Sequence, residues 1–252
     1  TSLGPRLRGD DVMMSPNALA LNAFIDSLIW GSAGVANGGA IGEDEVRDWM
    51  TSFCDRYPNT RLIDVVNEPP PHTTPSFANN IGGGTNTTWE WITNSFIWAE
   101  EACPDAVLIL NDYNNIEWPN DTQHFIDIVN TIQAAGAPID ALGAQAHELD
   151  HSSVDIETVK GLIQKLHDDT GLPVYITEFD ISDSDDDAQL ALYQAYFPFF
   201  LDTKYIHGIT IWGWIYGLTW SLASESGLVK DGAPRSAMTW LMDTLERPVP
   251  GN

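Results

Sequence analysis

Two hydrophobic segments that each end in a glutamate constrain the fold more than any other feature of this sequence. Residues 62–66 are mostly β-branched and apolar, and they run directly into an asparagine, Glu68 and a proline. Residues 174–177 have the same character and run into Glu178, with Asp180 two positions further on. Valine and isoleucine favour buried strands, and proline interrupts regular structure. Each segment therefore predicts a strand that places a carboxylate at its carboxyl-terminal end.

The two glutamates are expected to face each other across a pocket. Glycoside hydrolysis uses such a pair: with the carboxyl groups about 5–5.5 Å apart, one protonates the leaving oxygen while the other attacks the anomeric carbon. A single glutamate at the end of a strand is more often an ordinary loop residue. Two of them, Glu68 and Glu178, in one repeated pattern favour the catalytic interpretation.

Predicted strands and helices alternate from about residue 28 onward. Apolar runs predict strands over residues 27–30, 62–66, 106–110, 141–146, 174–178 and 208–214. Helical spacing predicts helices over residues 43–57, 89–102, 121–135, 155–170, 188–201 and 234–245. Strand, loop and helix repeated in this way, with polar groups at the strand ends, predict an α/β fold of the (β/α)8 TIM barrel class. A doubly wound sheet is the alternative, but the glycines at 82–84 follow no strand and do not form a phosphate-binding loop.

The first 26 residues do not fit this pattern. Eight strands require two more before residue 27, and the segment shows little strand pattern and is too short for two strand–helix units; residues 19–28 could form a helix. We therefore divide the chain into an atypical N-terminal segment, 1–26, and a single glycosidase barrel domain, 27–252. The barrel is expected to be abbreviated or atypical at its N-terminus, or the chain to be incomplete there.

The charge balance excludes some classes of partner. The chain has 252 residues with 36 acidic and 11 basic side chains, which gives a net charge of −25. Such a surface repels nucleic acid and anionic membranes, whereas a neutral substrate experiences no such repulsion. High solubility explains the charge most simply, and adaptation to salt is the alternative. We expect a monomer that binds neither nucleic acid nor membranes.

The cysteines and the terminus bear on where the protein works. Cys54 and Cys103 each lie near the end of a predicted helix, and the two helices are consecutive, so a disulfide and two free thiols are both open. No apolar run reaches membrane-spanning length and no signal peptide is present. We expect a secreted protein whose signal has been removed.

His147, at the end of the 141–146 strand, is the next candidate. An isolated histidine at such a position is more often a structural hydrogen-bonding residue. Its strand is expected to neighbour the Glu178 strand, however, and a hydrogen-bonded chain from Asp180 through His147 to Glu178 would keep Glu178 ionised and oriented. A metal site is the competing interpretation, but the acidic residues and histidines at 147–151 match no zinc spacing, and we expect no metal and no cofactor.

Aromatic and amide side chains follow two further strands. Trp212 and Trp214 are expected on one face of a strand, so at least one of them could belong to the core, while Trp220 lies in the following loop and has no obvious core role. Residues 111–115 form a polar strand end that suits sugar hydroxyl groups, although such runs are also common in turns.

These motifs resemble glycoside hydrolase family 10, the family of endo-β-1,4-xylanases with a (β/α)8 barrel. The resemblance covers roughly residues 28–247, including the C-terminal stretches 227–229 and 234–241. The motifs that carry it occur in the family's order and are Val65-Val66-Asn67-Glu68-Pro69, Leu110-Asn111-Asp112-Tyr113-Asn114, Gly143-Ala144-Gln145-Ala146-His147, Ile176-Thr177-Glu178-Phe179-Asp180 and Gly208-Ile209-Thr210-Ile211-Trp212-Gly213.

The resemblance implies the roles of the binding residues as well as those of the carboxylates. It implies that Glu68 is the acid/base, that Glu178 is the nucleophile and that His147 hydrogen-bonds Glu178. The residues it implies for substrate binding are Asn67 and Gln145 beside the sugar next to the cleaved bond, Trp212 and Trp220 around that sugar, and Tyr113 on the leaving-group side.

The N-terminal part of the resemblance is weaker. Trp30 matches the tryptophan of the family's third-strand motif, but Asp26 stands where the family usually has histidine and Ala33 where it usually has glutamine. The Glu-Asn and Lys-Trp pairs of an earlier family strand have no counterpart in residues 1–26. These groups normally hold sugars on the non-reducing side.

The sequence as a whole predicts a retaining endo-β-1,4-xylanase that cleaves internal bonds of xylan through a covalent glycosyl-enzyme. Two alternatives remain open. One is a catalytically impaired relative that binds xylan, and the other is a related barrel glycosidase that acts on another β-1,4-glycan.

Overall fold

The computed structural model describes residues 12–13, 41–84 and 87–245 of the chain. The strands are β1 (Val12–Met13), β2 (Leu62–Asn67), β3 (Val107–Asp112), β4 (Ala141–Ala144), β5 (Val174–Phe179), β6 (Ile206–Ile211), β7 (Val229–Lys230) and β8 (Ala233–Pro234). The helices are α1 (Glu43–Arg56), α2 (Glu90–Ala102), α3 (Pro119–Ala134), α4 (Ile156–Thr170), α5 (Asp186–Asp202) and α6 (Ser236–Thr244), with a short 3₁₀ helix at Ala78–Ile81.

The strands form one parallel sheet in the order β1-β6-β5-β4-β3-β2, beside a separate antiparallel β7–β8 pair. Every pairing in the main sheet is parallel, and a helix lies between each two consecutive strands from β2 to β6. From β2 to β6, neighbouring strands are consecutive in sequence, and β1 pairs with β6, as the first and last strands pair in a barrel built from β/α units. The strands nearest the centre are the most deeply buried: all four residues of β4 are buried, as are five of the six in β3.

The pairing of β1 corrects one expectation about the N-terminus. Val12 and Met13 pair with Ile209 and Thr210 of β6, so part of the segment 1–26 joins the barrel sheet. A strand of two residues shows no measurable alternation, and the sequence pattern therefore did not indicate it. The helix predicted over 19–28, the strand predicted over 27–30 and Trp30 itself lie outside the described residues.

The predicted helices between residues 43 and 202 are confirmed, with shifted ends. Helix α3 begins at Pro119 rather than at residue 121, because a proline at the first helical position loses no hydrogen bond. Helix α5 begins at Asp186 rather than at residue 188, because the Asp185 carboxylate accepts hydrogen bonds from the backbone of Asp187 and Ala188. Gly171 caps α4 in the left-handed conformation, as predicted. None of the helices in the described ranges is both long and apolar enough to cross a membrane.

Two predictions near the C-terminus are wrong at their boundaries. The last long strand ends at Ile211 rather than at Trp214, because Gly213 turns the chain with φ of +68°. A Cβ at this glycine would lie 2.7 Å from Cγ2 of Thr219, so the turn also requires close packing. The final helix begins at Ser236 rather than at Pro234, since Pro234 belongs to the hairpin pair β7–β8.

The structure decides the state of the two cysteines. Cys54 in α1 and Cys103 immediately after α2 form a disulfide, with their Cα atoms 5.6 Å apart. The bond connects helix α1 to the end of helix α2, and with Phe53 it forms a small apolar cluster that packs against Ile63 of β2. It therefore braces the helical layer next to β2, the strand that leads to Glu68.

Candidate active site

The predicted carboxylates meet at the carboxyl-terminal edge of the sheet. Asn67 is the last residue of β2 and Glu68 follows it, while Glu178 is the penultimate residue of β5. Gln145 and His147 follow β4, which lies between β3 and β5 in the sheet. Because the strands are parallel, all their carboxyl ends open on one side, which is where barrel enzymes carry their active sites.

Three amide side chains connect the two glutamates. The Nε2 atom of Gln145 donates to Oε1 of Glu68 and to Oδ1 of Asn67, at 3.1 Å in both cases. The Nδ2 atom of Asn111 donates to the same Asn67 oxygen at 2.8 Å and to Oε1 of Glu178 at 2.9 Å. The two carboxyl groups are thus held in one hydrogen-bonded cluster, and each presents an oxygen to amide donors.

The second oxygen of Glu178 belongs to the predicted histidine chain. His147 Nε2 lies 3.3 Å from Oε2 of Glu178, and its Nδ1 lies 2.7 Å from Oδ1 of Asp180. The other Asp180 oxygen accepts a hydrogen bond of 2.8 Å from the indole nitrogen of Trp220. Asp180 therefore orients both His147 beside Glu178 and the indole ring of Trp220.

His147 is held in its charged form. Its burial disfavours the charge, but the hydrogen bonds to Asp180 and Glu178 outweigh that effect and raise the pKa of His147 to about 10. An imidazolium beside Glu178 stabilises negative charge on that carboxylate. This is the environment that a carboxylate nucleophile requires.

Two non-glycine residues of the site have left-handed backbones. Glu68 has φ of +53° and Ala146, between Gln145 and His147, has φ of +66°. In both places the backbone hydrogen bonds between neighbouring strands continue up to the turn: Glu68 N donates to Asn111 O at 2.8 Å, and Gln145 N donates to Asp112 O at 3.0 Å. Such conformations cost of the order of 1 kcal/mol or more and concentrate at functional sites, where they aim side chains that an extended strand would not.

The predicted aromatic residues lie around this cluster. The ring of Trp220 is 4.8 Å from that of His147, and Trp212, just after β6, meets the same histidine edge-on at 6.1 Å. Trp214 is 38% exposed, so it is not the core residue that its spacing with Trp212 allowed. Tyr113 follows β3 and stacks on another histidine, His72. Trp30 lies outside the described residues, and its role stays a prediction.

Sequence reasoning missed several contacts of the site. The sequence motifs include Asn111 and Thr177 but give neither a role, whereas in the structure the Thr177 hydroxyl donates to Asn111 Oδ1 at 2.6 Å. His72 was passed over within the long loop after β2. The position of Asn111 at the end of a strand next to the Asn67 strand is the one signal that could have singled it out.

A second concavity lies at the opposite end of the barrel. Its volume is about 330 Å³, and residues that precede or begin strands line it, among them Ala106, Asp140, Pro173 and His207. Activity in barrels is located at the other end of the strands, so this concavity is not the candidate site. Within the described ranges, no group of three or more His, Cys, Asp or Glu side chains is arranged to hold a metal ion.

Known proteins resemble this chain over most of its length. Residues 29–244 match the family described as Glycosyl hydrolase family 10. An endo-1,4-beta-xylanase B from Cellvibrio japonicus is 42% identical over 200 residues, which cover 79% of this chain and 31% of that protein. An endo-1,4-beta-xylanase B from Thermotoga neapolitana is 30% identical over 192 residues, covering 71% of this chain and 51% of that protein. The chain thus spans about a third to a half of the length of these relatives.

A solved structure shows the same architecture. An intracellular xylanase from Thermoanaerobacterium saccharolyticum, crystallised in complex with xylotetraose, aligns with a TM-score of 0.65 and 26% identity. The alignment covers 77% of this chain and 62% of that one. Together with the family match, it confirms the predicted (β/α)8 barrel class.

Proposed function

Because the chain belongs to glycosyl hydrolase family 10, we propose that it is a retaining endo-β-1,4-xylanase that cleaves internal bonds of xylan. The observation that carries the proposal is the amide cluster that holds Glu68 and Glu178 together at the carboxyl end of the sheet. Relatives named endo-1,4-beta-xylanase and the xylotetraose complex of a similar structure support the choice of substrate.

In the proposed mechanism, Glu178 attacks the anomeric carbon while Glu68 protonates the leaving oxygen. The bond between the anomeric carbon and that oxygen breaks, and a covalent ester of the sugar with Glu178 forms. Glu68, now a carboxylate, then takes a proton from water, which attacks the anomeric carbon and releases Glu178. The hydrogen bonds from Asn111 and His147 support Glu178 as it gains and loses charge.

The remaining residues are proposed to bind the sugars. Asn67 and Gln145 lie beside the acid/base and can donate to hydroxyl groups of the sugar that becomes bound to Glu178. Trp212 and Trp220 are proposed to enclose that sugar, since apolar faces of sugar rings pack on aromatic rings. Tyr113 is assigned to the leaving-group side. Only residues of the chain take part in this scheme, which needs no cofactor or metal.

The test is to follow hydrolysis of xylohexaose by proton NMR and to observe the anomer of fresh product. Early β-anomer would support retention, and early α-anomer would exclude Glu178 as a nucleophile. Glu178→Ala is expected to lose turnover by at least about 10⁴-fold, since it removes the nucleophile. Binding of xylan without turnover in the wild type would instead favour the impaired relative, and preference for cellulose or mannan would favour the other glycosidase.

We further propose that the protein is secreted and acts as a monomer. The Cys54–Cys103 disulfide supports secretion, because such bonds persist in oxidising compartments. Activity in the culture medium, rather than in the cell lysate, is the expected result in the native host. Light scattering after size-exclusion chromatography tests the monomer, for which a mass of 27.8 kDa is expected for this chain.

A further inference from the structure

His72 is the histidine of the cleft region that the proposed mechanism does not use. It lies four residues after Glu68 in the loop that follows β2, and its backbone N donates to Pro69 O at 3.1 Å. The same loop therefore carries both the proposed acid/base and this imidazole. A movement of His72 would be transmitted to the segment that leads away from Glu68.

Two contacts fix the His72 ring. Its Nδ1 lies 2.8 Å from Oδ1 of Asp112, the last residue of β3, which is 5% exposed. Its face stacks on Tyr113, with centroids 3.9 Å apart and planes inclined by 14°. The same Asp112 oxygen accepts a 2.9 Å hydrogen bond from the backbone N of Tyr113. Asp112 thus fixes the imidazole ring and the backbone of the tyrosine on which it stacks.

Both rings lie within the electrostatic reach of Glu68. For His72, the hydrogen bond to Asp112 raises the pKa, burial lowers it, and the charges of Asp112, Asp121 and Glu68 raise it further. Burial raises the pKa of Tyr113, and the charge of Glu68 is the next largest cause. The geometry agrees: Glu68 N donates to Asn111 O at 2.8 Å, and Tyr113 lies two residues after Asn111, so the stacked pair lies close to the proposed acid/base.

Stacking on His72 leaves only part of the Tyr113 ring available for contact with a sugar. One face of the phenol ring is covered by His72, so a sugar can contact only the opposite face or the hydroxyl group. The His72 side chain is itself only 14% exposed, which makes it a support rather than a binding surface. His72 packs against one face of the Tyr113 ring, and Asp112 fixes the Tyr113 backbone. The opposite face of the tyrosine is therefore held in one orientation.

We propose that His72 is a positioning residue for the leaving-group side of the cleft, acting through Tyr113. The inference rests on the proposed function, because it needs a sugar that leaves toward Tyr113. Its consequence is selective: loss of His72 weakens the use of substrates with sugars on that side. Substrates without a leaving sugar do not depend on it.

The test compares two substrates and four variants of the full chain. Xylotetraose has sugars on both sides of the cleaved bond, whereas β-xylobiosyl fluoride has only fluoride as leaving group. The variants are His72→Ala, His72→Phe, Tyr113→Ala and the double variant His72→Ala/Tyr113→Ala. His72→Phe is the matched control, because it keeps a stacking ring and removes only the hydrogen bond to Asp112.

His72→Ala is expected to lower kcat/KM for xylotetraose by about fivefold, mainly through KM, since an aromatic stack is worth of the order of 1 kcal/mol. Activity on the fluoride is expected to stay within about twofold of wild type, and His72→Phe to recover most of the loss. In the Tyr113→Ala background, His72→Ala is expected to cost less than about twofold more, because both residues act as one unit.

Other outcomes would overturn the inference. Equal losses on both substrates would mean a general structural role for His72, and independent losses in the double variant would mean that it does not act through Tyr113. If the wild type is active and His72→Ala is as active on both substrates, the inference about His72 is refuted while the proposed function stands. A wild type that cleaves neither substrate would refute the proposed function and this inference with it, and that result is visible before any variant is made.

Discussion

At the scale of single residues, the position of Asn111 depends on a glycine in the next strand. Gly143 of β4 is paired in register with Asn111 of β3. A Cβ on Gly143 would lie 2.3 Å from Oδ1 and 2.9 Å from Cγ of Asn111, closer than atoms can approach. Since Asn111 hydrogen-bonds both Glu178 and Asn67, the missing side chain at residue 143 is a requirement of the site.

Gly143→Ala is therefore expected to displace Asn111 and to lower kcat/KM on xylo-oligosaccharides by about 10²-fold, the cost of a misplacement of about 1 Å. Steady-state kinetics on xylohexaose measures this. Gly161→Ala is the control: Gly161 lies in α4 with open space around its Cβ position. That change is expected to keep activity and to add up to about 1 kcal/mol of stability. Wild-type kinetics for Gly143→Ala would contradict the argument.

Glu117 is a buried carboxyl group with an incomplete set of partners. It is 1% exposed, and its Oε2 accepts a 3.2 Å hydrogen bond from the backbone of Ile116. Its Oε1 has no hydrogen-bond partner among the described residues. Burial raises the pKa of Glu117 from 4.5 to about 7, against the backbone hydrogen bond and the charge of His147. The folded state therefore binds this proton more tightly than the unfolded state.

The direction in which stability changes with pH follows from this difference in proton affinity between the folded and unfolded states. A raised carboxyl pKa contributes stability at low pH, and the contribution is lost as pH rises from about 4.5 to about 7. Glu117→Gln cannot ionise, so relative to wild type it is expected to gain about 2 kcal/mol in free energy of unfolding between pH 5 and pH 8. Urea unfolding at both pH values measures this.

Glu100→Gln removes one carboxylate at an exposed position of α2 and is the control for the Glu117 experiment. A constant difference between Glu117→Gln and wild type at both pH values would mean that Glu117 does not titrate in this range. The comparison between pH values cancels any cost of placing an amide in the buried site.

At the scale of elements, the disulfide is the covalent bond between the first two described helices. It joins Cys54 and Cys103, 49 positions apart in sequence, and so closes a loop that contains β2, Glu68 and the long loop with His72. In the unfolded chain such a bond restricts the same segment. Its expected effect is on stability, because the two cysteines pack with Phe53, Ile63, Ala102 and Ala106, none of which is a residue of the candidate site.

The double variant Cys54→Ser/Cys103→Ser is expected to lose up to about 4 kcal/mol in free energy of unfolding, the value that the loop length predicts. Its kcat on xylan is expected to equal that of wild type at temperatures where both are folded. Chemical unfolding in the presence and absence of dithiothreitol measures the effect. Reductant should destabilise the wild type to the level of the variant and leave the variant unchanged; equal stability of the two oxidised proteins would disprove the contribution.

The sequence predicts the positions of long helices and strands well, but it does not predict where they begin and end. Long periodic segments such as α4 and β5 were located correctly, because many residues contribute to each pattern. The ends depend on single contacts, such as the Asp185 cap of α5 and the turn at Gly213. Strand β1 has only two residues, and it is a strand because β6 lies beside it.

At the scale of the whole molecule, the net charge of −25 is the dominant property. Like charges repel one another across the surface, and compaction on folding strengthens that repulsion. Salt screens it, with a Debye length that falls from about 10 Å at 0.1 M to about 3 Å at 1 M. Stability is thus expected to rise with ionic strength through screening of this repulsion.

The melting temperature at pH 7 is expected to rise by about 2 °C between 0.02 M and 1 M NaCl, because about 1 kcal/mol of repulsion is screened. The control is the same titration near pH 4.1, the isoelectric point of the sequence. There the net charge vanishes and the salt effect is expected to shrink. A melting temperature independent of NaCl at pH 7 would show that repulsion is not significant.

The sequence alone determined which residues lie at the carboxyl-terminal edge of the sheet, where the candidate site is. The run of mostly β-branched apolar residues and the proline after Glu68 end β2 there, and the run of β5 ends at Glu178, so both carboxylates were expected at the carboxyl ends of strands. The His147 chain to Asp180 could also be predicted, since it needs only that β4 and β5 be neighbours. These inferences depend on local pattern and on strand order.

Only the tertiary structure decided which side chains touch. The hydrogen bonds from Asn111 to Glu178 and from Trp220 to Asp180 join residues 67 and 40 positions apart. The stack of His72 on Tyr113 and the space that Gly143 leaves for Asn111 likewise depend on distances of a few tenths of an ångström. Such distances follow from the register between strands and the path of long loops. Those are set by packing of the whole sheet and its helices, which no local pattern of residues encodes.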